Sequence, residues 1–195
     1  MNSGYLPIAD HGVVGDLHTV ALVGTDGTID WYCPGRFDAA SVFGAILDSA
    51  RGGHYRVAAV AECTTKQLYV PDTNVLITRF LSPAGVGELQ DFMPVDGRQR
   101  LIRRVVCVRG EMQFRLECEP RFDYGRDHDD VVLTEEGALL CSPTLSLALG
   151  APLPLTSTGS NFPQAFTHLA LVSAAVCLDR KLDAHAPARL DRKAA

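Results

Sequence analysis

Trp31, the only tryptophan of the chain, is followed within seven residues by Arg36 and Asp38 in the run Pro34-Gly35-Arg36-Phe37-Asp38. An indole face beside a guanidinium and a carboxylate can stack on a flat apolar ring while hydrogen bonding to hydroxyls around it, which is chemistry suited to a sugar. The competing arrangement places Trp31 in the core and pairs Arg36 with Asp38 or Asp30 to fix the loop. Asp127-His128-Asp129-Asp130 is a second polar cluster, but consecutive side chains in a loop do not converge on one cation, so it reads as a solvated turn. His168 sits among apolar neighbours with no second histidine at i+3 or i+4, which describes a packed or solvent-facing histidine better than a metal ligand. Six cysteines lie far apart without a C-x-x-C pair and read as buried small side chains in a reducing compartment. No metal site and no cofactor follow from these residues.

The elements that must position Trp31 and its neighbours read as strands. Residues 18–24 are apolar and β-branched, Thr25-Asp26-Gly27-Thr28 supplies turn chemistry, and Ile29, Trp31 and Cys33 alternate with Asp30 and Tyr32, which describes a hairpin. Residues 74–81 and 86–93 predict a second hairpin around Ser82-Pro83-Ala84-Gly85, and residues 101–108 and 111–122 a third around Arg109-Gly110. Met112, Phe114, Leu116 and Cys118 alternate with Gln113, Arg115, Glu117 and Glu119, so one face of that strand is buried and the other wet. Residues 131–133 and 138–141 form a further hairpin, and 145–149 one more strand. Residues 41–47 predict a short helix with Asp38 as its N-cap. Gly15-Asp16 and Asp26-Gly27 are turn and capping residues. Many short strands without long intervening helices predict an antiparallel β-sandwich over residues 1–155.

The pattern changes beyond Pro152-Leu153-Pro154. Residues 156–160 are small and polar and read as a linker. Asn161 with Gln164 three residues on forms a capping-box-like start, and residues 161–182 read as a helix apolar on most sides. Residues 183–195 are rich in Ala, Arg and Lys and predict a disordered tail.

Composition narrows the function classes. With 195 residues, 47% hydrophobic and 21% charged, the chain can bury one core with an appendage. A net charge of -5 without a basic cluster excludes a nucleic-acid or anionic-membrane footprint. The start, Met1-Asn2-Ser3-Gly4-Tyr5, lacks a basic segment followed by an apolar stretch, and no apolar run reaches the roughly 20 residues of a spanning helix, so a cytoplasmic protein is expected.

A resemblance rests on ordered blocks: Tyr5-Leu6-Pro7-Ile8-Ala9-Asp10, Gly15-Asp16, Asp26 to Trp31, Pro34 to Asp38, Ser41-Val42-Phe43, Asp91-Phe92-Met93-Pro94 and Pro120 to Arg126. Together they resemble the amino-terminal domain of bacterial glycoside hydrolase family 15 proteins, the glucoamylase and trehalase-like group. The stretch beginning Asn161-Phe162-Pro163-Gln164-Ala165-Phe166 resembles that family's carboxyl-terminal helical motif. The resemblance implies a β-sandwich whose last strands are lacking, and a family pattern whose middle, the catalytic barrel, is skipped. Inverting glycosidases hold two carboxyl groups roughly 6.5–9.5 Å apart, and in the family both come from barrel loops. Glu62, Glu88, Glu111, Glu117, Glu119, Glu135 and Glu136 match none of these, so no catalytic residue carries over.

The resemblance thus implies a non-catalytic domain or an internally deleted remnant of a protein acting on α-glucosides. In the family, the loop holding Arg36 and Asp38 faces the barrel. Two alternatives stand beside this: a residual hydrolase completed by oligomerisation or by a partner chain, and a carbohydrate-binding module. If closing strands are lacking, the terminal helix must cover a bare edge or sheet face or else remain exposed. Self-association, or docking on a full-length homologue, is then expected.

Overall fold

The computed structural model describes residues 5–127, 130–151, 155–157, 163–168 and 171–178. Its fold begins with the hairpin around Asp26-Gly27. β1 (His11–Gly15) pairs with β2 (Val20–Gly24), and β2 turns into β3 (Thr28–Tyr32). Gly27 makes that turn possible: its φ is +81°, and a Cβ there would lie 2.2 Å from the carbonyl oxygen of Val57. Asp26 completes the turn by accepting the Thr28 N–H at 3.0 Å and the Thr28 hydroxyl at 2.8 Å.

The remaining strands follow as β4 (His54–Ala59), β5 (Thr64–Tyr69), β6 (Leu76–Leu81), β7 (Gly85–Phe92), β8 (Arg100–Gly110) and β9 (Gln113–Glu119). After these come β10 (Asp130–Thr134), β11 (Gly137–Cys141), β12 (Ser146–Gly150), β13 (Thr156–Ser157), β14 (Pro163–His168) and β15 (Leu171–Leu178). They form a seven-stranded sheet, β1-β2-β3-β4-β9-β14-β13, and an eight-stranded sheet, β10-β11-β12-β15-β8-β7-β6-β5. Every pairing between these strands is antiparallel.

Alternation decides what lies between the sheets. Val14, Ala21, Val23, Ile29, Val57, Phe114, Leu116 and Cys118 are buried from the first sheet, and Leu76, Phe80, Leu89, Leu101, Val105, Leu140, Leu147 and Leu149 from the second. All belong to one contiguous core, as a two-layer sandwich requires. Phe80 of β6 and Phe114 of β9 meet edge to face across the layers, with ring centroids 5.3 Å apart.

A charged group lies at the centre of this core. Arg103 of β8 and Asp91 of β7 stand directly opposite in the ladder, both side chains wholly removed from solvent. Arg103 Nε donates to Asp91 Oδ1 at 2.8 Å and Nη2 to Oδ2 at 3.2 Å. Its remaining donors cross to the other sheet, Nη1 to the Tyr55 carbonyl at 2.7 Å and Nη2 to the Gly27 carbonyl at 2.8 Å. The guanidinium also rests over the Tyr55 ring, 4.8 Å from its centroid. One side chain thereby links the two layers.

One flank of the sandwich is closed by side chains. The Tyr69 hydroxyl on β5 accepts the Val13 N–H at 2.8 Å and donates to the Val13 carbonyl at 2.9 Å, and Asn74 Nδ2 donates to the Gly15 carbonyl at 2.8 Å. The outward Val13 groups and the Gly15 carbonyl of edge strand β1 are thus occupied.

Several expectations need correction. Residues 41–47 form turns and an isolated bridge between Tyr32 and Phe43, not a helix, and Asp38 caps nothing there. Here Asp48 satisfies the backbone instead, accepting the N–H groups of Ala50 and Arg51. β8 and β9 do not form the third hairpin: Arg109 and Gly110 stay in β8, paired with Val86 and Gly85 of β7, and the chain crosses to the other sheet at Glu111-Met112. Where the sequence reads a helix over residues 161–182, Pro163–His168 and Leu171–Leu178 are strands. β15 pairs with β12 on one side and β8 on the other, and β14 pairs with β9 and β13. A short apolar run does not by itself distinguish helix from central strand, and here two flanking ladders satisfy the backbone of Leu171–Leu178. Thr156–Ser157 of the expected linker form β13. Residues 158–162, 169–170 and 179–195, including the expected tail, lie outside the described residues.

Candidate functional site

Trp31 lies on the outer face of the seven-stranded sheet. Val13 stands opposite Leu22 and Leu22 opposite Trp31 in the registers of β1, β2 and β3, giving an apolar ladder across that face. Trp31 is half-buried rather than a core residue, and Tyr124 lies against it with ring centroids 6.3 Å apart at 46°.

Tyr124 is brought there by an unusual backbone. Phe122–Gly125 forms a single helical turn, but Asp123 (φ 46°, ψ 54°) and Tyr124 (φ 57°, ψ 31°) are left-handed, as is Gly125 at φ +75°. The left-handed region costs a non-glycine residue roughly 1–2 kcal/mol, so two in succession must be held by their surroundings. Arg121 N–H donates to the Val42 carbonyl at 2.8 Å, Tyr124 N–H to the Ser41 carbonyl at 3.4 Å, and Arg126 N–H to the Phe122 carbonyl at 3.1 Å. Arg126 then reaches back over the Tyr124 ring, 5.7 Å from its centroid, with its Nη1 3.9 Å from the Asp123 carboxylate.

Arg36 and Asp38 bind each other. Arg36 Nε and Nη2 donate to the two Asp38 oxygens at 2.8 and 3.0 Å, a fork-to-fork pair with side chains 73% and 53% exposed. The hydrogen bond from Arg36 holds the Asp38 carboxyl below the usual carboxylate range, and the Arg36 guanidinium is raised in turn. Such an exposed pair adds little stability but stiffens the loop. Of the two arrangements open to Arg36, the structure shows the pairing with Asp38.

That loop belongs to an exposed end of the sandwich. Phe37 N–H donates to the His18 carbonyl at 3.0 Å, tying the loop to the β1–β2 connection, and Gln99 Nε2 approaches the Gly35 carbonyl at 3.5 Å. Leu17, Phe37 and Val95 on these connections are 91%, 71% and 66% exposed. Leu17 has φ 75° and Gln99 φ 48°, left-handed values for residues other than glycine.

His11 and Asp30 form the other polar pair. His11 Nε2 lies 2.8 Å from Asp30 Oδ2 and Nδ1 2.9 Å from the Pro7 carbonyl, so both nitrogens face acceptors and the doubly protonated imidazolium fits best. Burial lowers the His11 pKa, but the bond to Asp30, the Asp30 charge and the Pro7 carbonyl together outweigh it and raise the value. Burial also raises Asp30, against the pull of His11, and Asp30 Oδ1 is buried without a partner among the described residues. Neither ring nitrogen is free to act as a base.

Other titratable groups are likewise committed. Burial pushes the Asp91 carboxyl up more than Arg103 pulls it down, and raises the Cys118 thiol and the Tyr55 phenol above their usual ranges. Glu88 accepts from Arg79 and Glu117 pairs with Arg115. Among the described residues no group of three or more His, Cys, Asp or Glu side chains could hold a metal ion, and Cys33, Cys63, Cys107, Cys118 and Cys141 are free thiols. Asp127 accepts the Thr144 hydroxyl at 2.9 Å, while His128 and Asp129 lie outside the described residues. His168 stands in β14 opposite Gln113. No helix among the described residues is long and apolar enough to cross a membrane.

The structure therefore brings Trp31 against Tyr124, whose own turn carries Asp123 and Arg126, rather than against a free Arg36 or Asp38. Tyr124, Asp123 and Arg126 were not singled out as site residues from the sequence. Their signal was present, since Phe122-Asp123-Tyr124-Gly125 ends on a glycine suited to a left-handed turn and lies in one of the blocks that carry the resemblance.

Comparison with known proteins bears on the family of the chain. Residues 3–175 match the family described as trehalase-like, N-terminal. A trehalase of Mycolicibacterium smegmatis is 31% identical over 147 residues, covering 65% of this chain and 22% of the relative. A trehalase of Thermoplasma volcanium is 29% identical over 160 residues, covering 78% and 26%. Trehalase 1 of Sulfolobus acidocaldarius is 34% identical over 134 residues, covering 68% and 23%. The matched region thus spans about a quarter of the length of these relatives. With a family match over residues 3–175 and a sandwich of two antiparallel sheets, the chain belongs to the trehalase-like, N-terminal family.

Proposed function

We propose that this chain is a non-catalytic amino-terminal domain of an α-glucoside hydrolase of the glycoside hydrolase family 15 type, acting by docking against a catalytic portion. The reading is carried by the match to an amino-terminal family while only about a quarter of each trehalase relative is covered. The chemistry supports it. Hydrolysis with inversion needs an acid and a base facing each other across a substrate, whereas Asp30, Asp38, Glu88, Asp91 and Glu117 are each tied to a cation. The docking end is the loop cluster carrying Leu17, Phe37 and Val95, since apolar side chains grouped in water on tied loops mark an interaction surface.

The test has two arms. Purified chain incubated with trehalose or maltose should release no glucose, and it should co-elute with the Mycolicibacterium smegmatis relative from which the matching segment has been removed. Leu17→Ser with Phe37→Ser should weaken that association while leaving the fold intact. Glucose release by the chain alone would overturn the reading in favour of a hydrolase completed by self-association. Absence of co-elution would remove the docking role.

A further inference from the structure

We propose that Trp31 and Tyr124, with Asp123 and Arg126 of the same left-handed turn, form a binding platform for a neutral glucopyranoside. This deepens the α-glucoside reading above by giving this domain its own contact with the sugar, and it rests on that reading for the ligand class.

Two aromatic rings tilted at 46° with centroids 6.3 Å apart make an angled apolar bed at the surface, with Tyr124 43% exposed. Pyranose rings present faces of C–H bonds that pack on such surfaces, and hydroxyls at their rims that need hydrogen-bond partners. Those partners are at hand. Among the described residues neither the Trp31 indole N–H nor the Tyr124 hydroxyl has a hydrogen bond within the protein. Arg126 is 75% exposed over the Tyr124 ring, and the Asp123 carboxylate beside it is 35% exposed. A donor-rich guanidinium, an acceptor carboxylate, an indole N–H and a phenol are thus presented around two rings.

The backbone is consistent with a prepared site. Asp123 and Tyr124 occupy a conformation that glycine would adopt without penalty, yet both carry large side chains, and the turn is tied through Arg121 and Tyr124 to the Val42 and Ser41 carbonyls. Strained residues of this kind persist where neighbouring structure over-determines them and concentrate at ligand-binding positions. A merely structural tyrosine would gain nothing from this placement that a ring on an unstrained residue would lack.

Trp31 is the only tryptophan, so its emission reports the site directly. Titration of the full chain with trehalose and with maltose should give a saturable change in Trp31 fluorescence at millimolar sugar, and sorbitol, a polyol without a ring, should give none. Tyr124→Gly should retain the melting temperature, because glycine suits the backbone there, and should weaken sugar binding by at least about tenfold. Arg126→Gln, which removes the exposed guanidinium over the Tyr124 ring and beside Asp123, should weaken it severalfold. No saturable response in the unaltered chain, an equal response to sorbitol, or undiminished binding in both variants would overturn the proposal. So would a Trp31 response to the truncated relative but not to sugar, which would assign the face to protein docking. A Trp31 silent to sugar in a chain that still co-elutes with that relative would end this inference alone, whereas sugar binding without co-elution would leave it standing and remove the docking role.

Discussion

Replacing Arg103 by methionine should destabilise the domain strongly. Methionine fills the stem of the arginine but leaves the Asp91 carboxylate, 0% exposed, without its two hydrogen bonds. Removing one partner of a buried ion pair costs about 3–5 kcal/mol. The Tyr55 carbonyl loses its bond to Nη1, while the Gly27 carbonyl keeps the Val57 N–H at 3.1 Å and is less affected. Against a total stability of about 5–15 kcal/mol, Arg103→Met consumes a large share. At about 2–4 °C per kcal/mol for a domain of this size, melting should fall by roughly 6–20 °C. Urea unfolding followed by circular dichroism measures this directly. The double variant Asp91→Leu with Arg103→Met should lose less than the sum of the single changes, with a coupling of about 0.5–3 kcal/mol. A loss below about 1 kcal/mol in Arg103→Met, or strict additivity in the cycle, would refute the account of Arg103 as the link between sheets.

Two further outcomes follow from the polar contacts at the sheet margin. His11 has a folded pKa raised above its ordinary 6.5, so its contribution to stability is complete below that value and is lost as pH rises through the folded value. The urea midpoint should therefore decline on the alkaline side of 6.5, and His11→Gln should flatten that decline. Tyr69→Phe should cost about 1–3 kcal/mol by stripping both backbone partners from Val13, and light scattering should show more self-association as the β1 edge opens.

Much of the sandwich was legible because strand alternation is a local signal. Phe114, Leu116 and Cys118 face the core as their spacing predicts, and the Asp26-Gly27 turn closes β2 onto β3. The third hairpin failed because Arg109-Gly110, which reads as a turn, ends β8, and the short Glu111-Met112 connection looks the same whether the next strand pairs beside β8 or crosses to the other sheet. The segment 171–178 misread as helix because near-continuous apolarity fits a helix surrounded by protein as well as a strand flanked by two others, and only the ladders to β12 and β8 decide. The pairing of Arg36 with Asp38 was visible as a local option. Tyr124 was not, since its contact with Trp31 spans most of the domain and depends on a left-handed turn that propensity disfavours.

The buried guanidinium also bears on which strand pairings the chain can accept. Because side chains alternate between faces, a slip of β8 by one residue would turn Arg103 outward and bring Arg104, exposed in the native register, into the core. Asp91 would then face Arg104 or Ile102 across the ladder with no fork aligned to it, and the Tyr55 carbonyl would lose its partner from the opposite layer. An all-aliphatic strand would lose only packing on such a slip. Here the misaligned state also strands a carboxylate in a dry interior, so the Arg103–Asp91 pair disfavours a slipped β7–β8 ladder, and the bonds to the Tyr55 and Gly27 carbonyls penalise it again when the two layers meet.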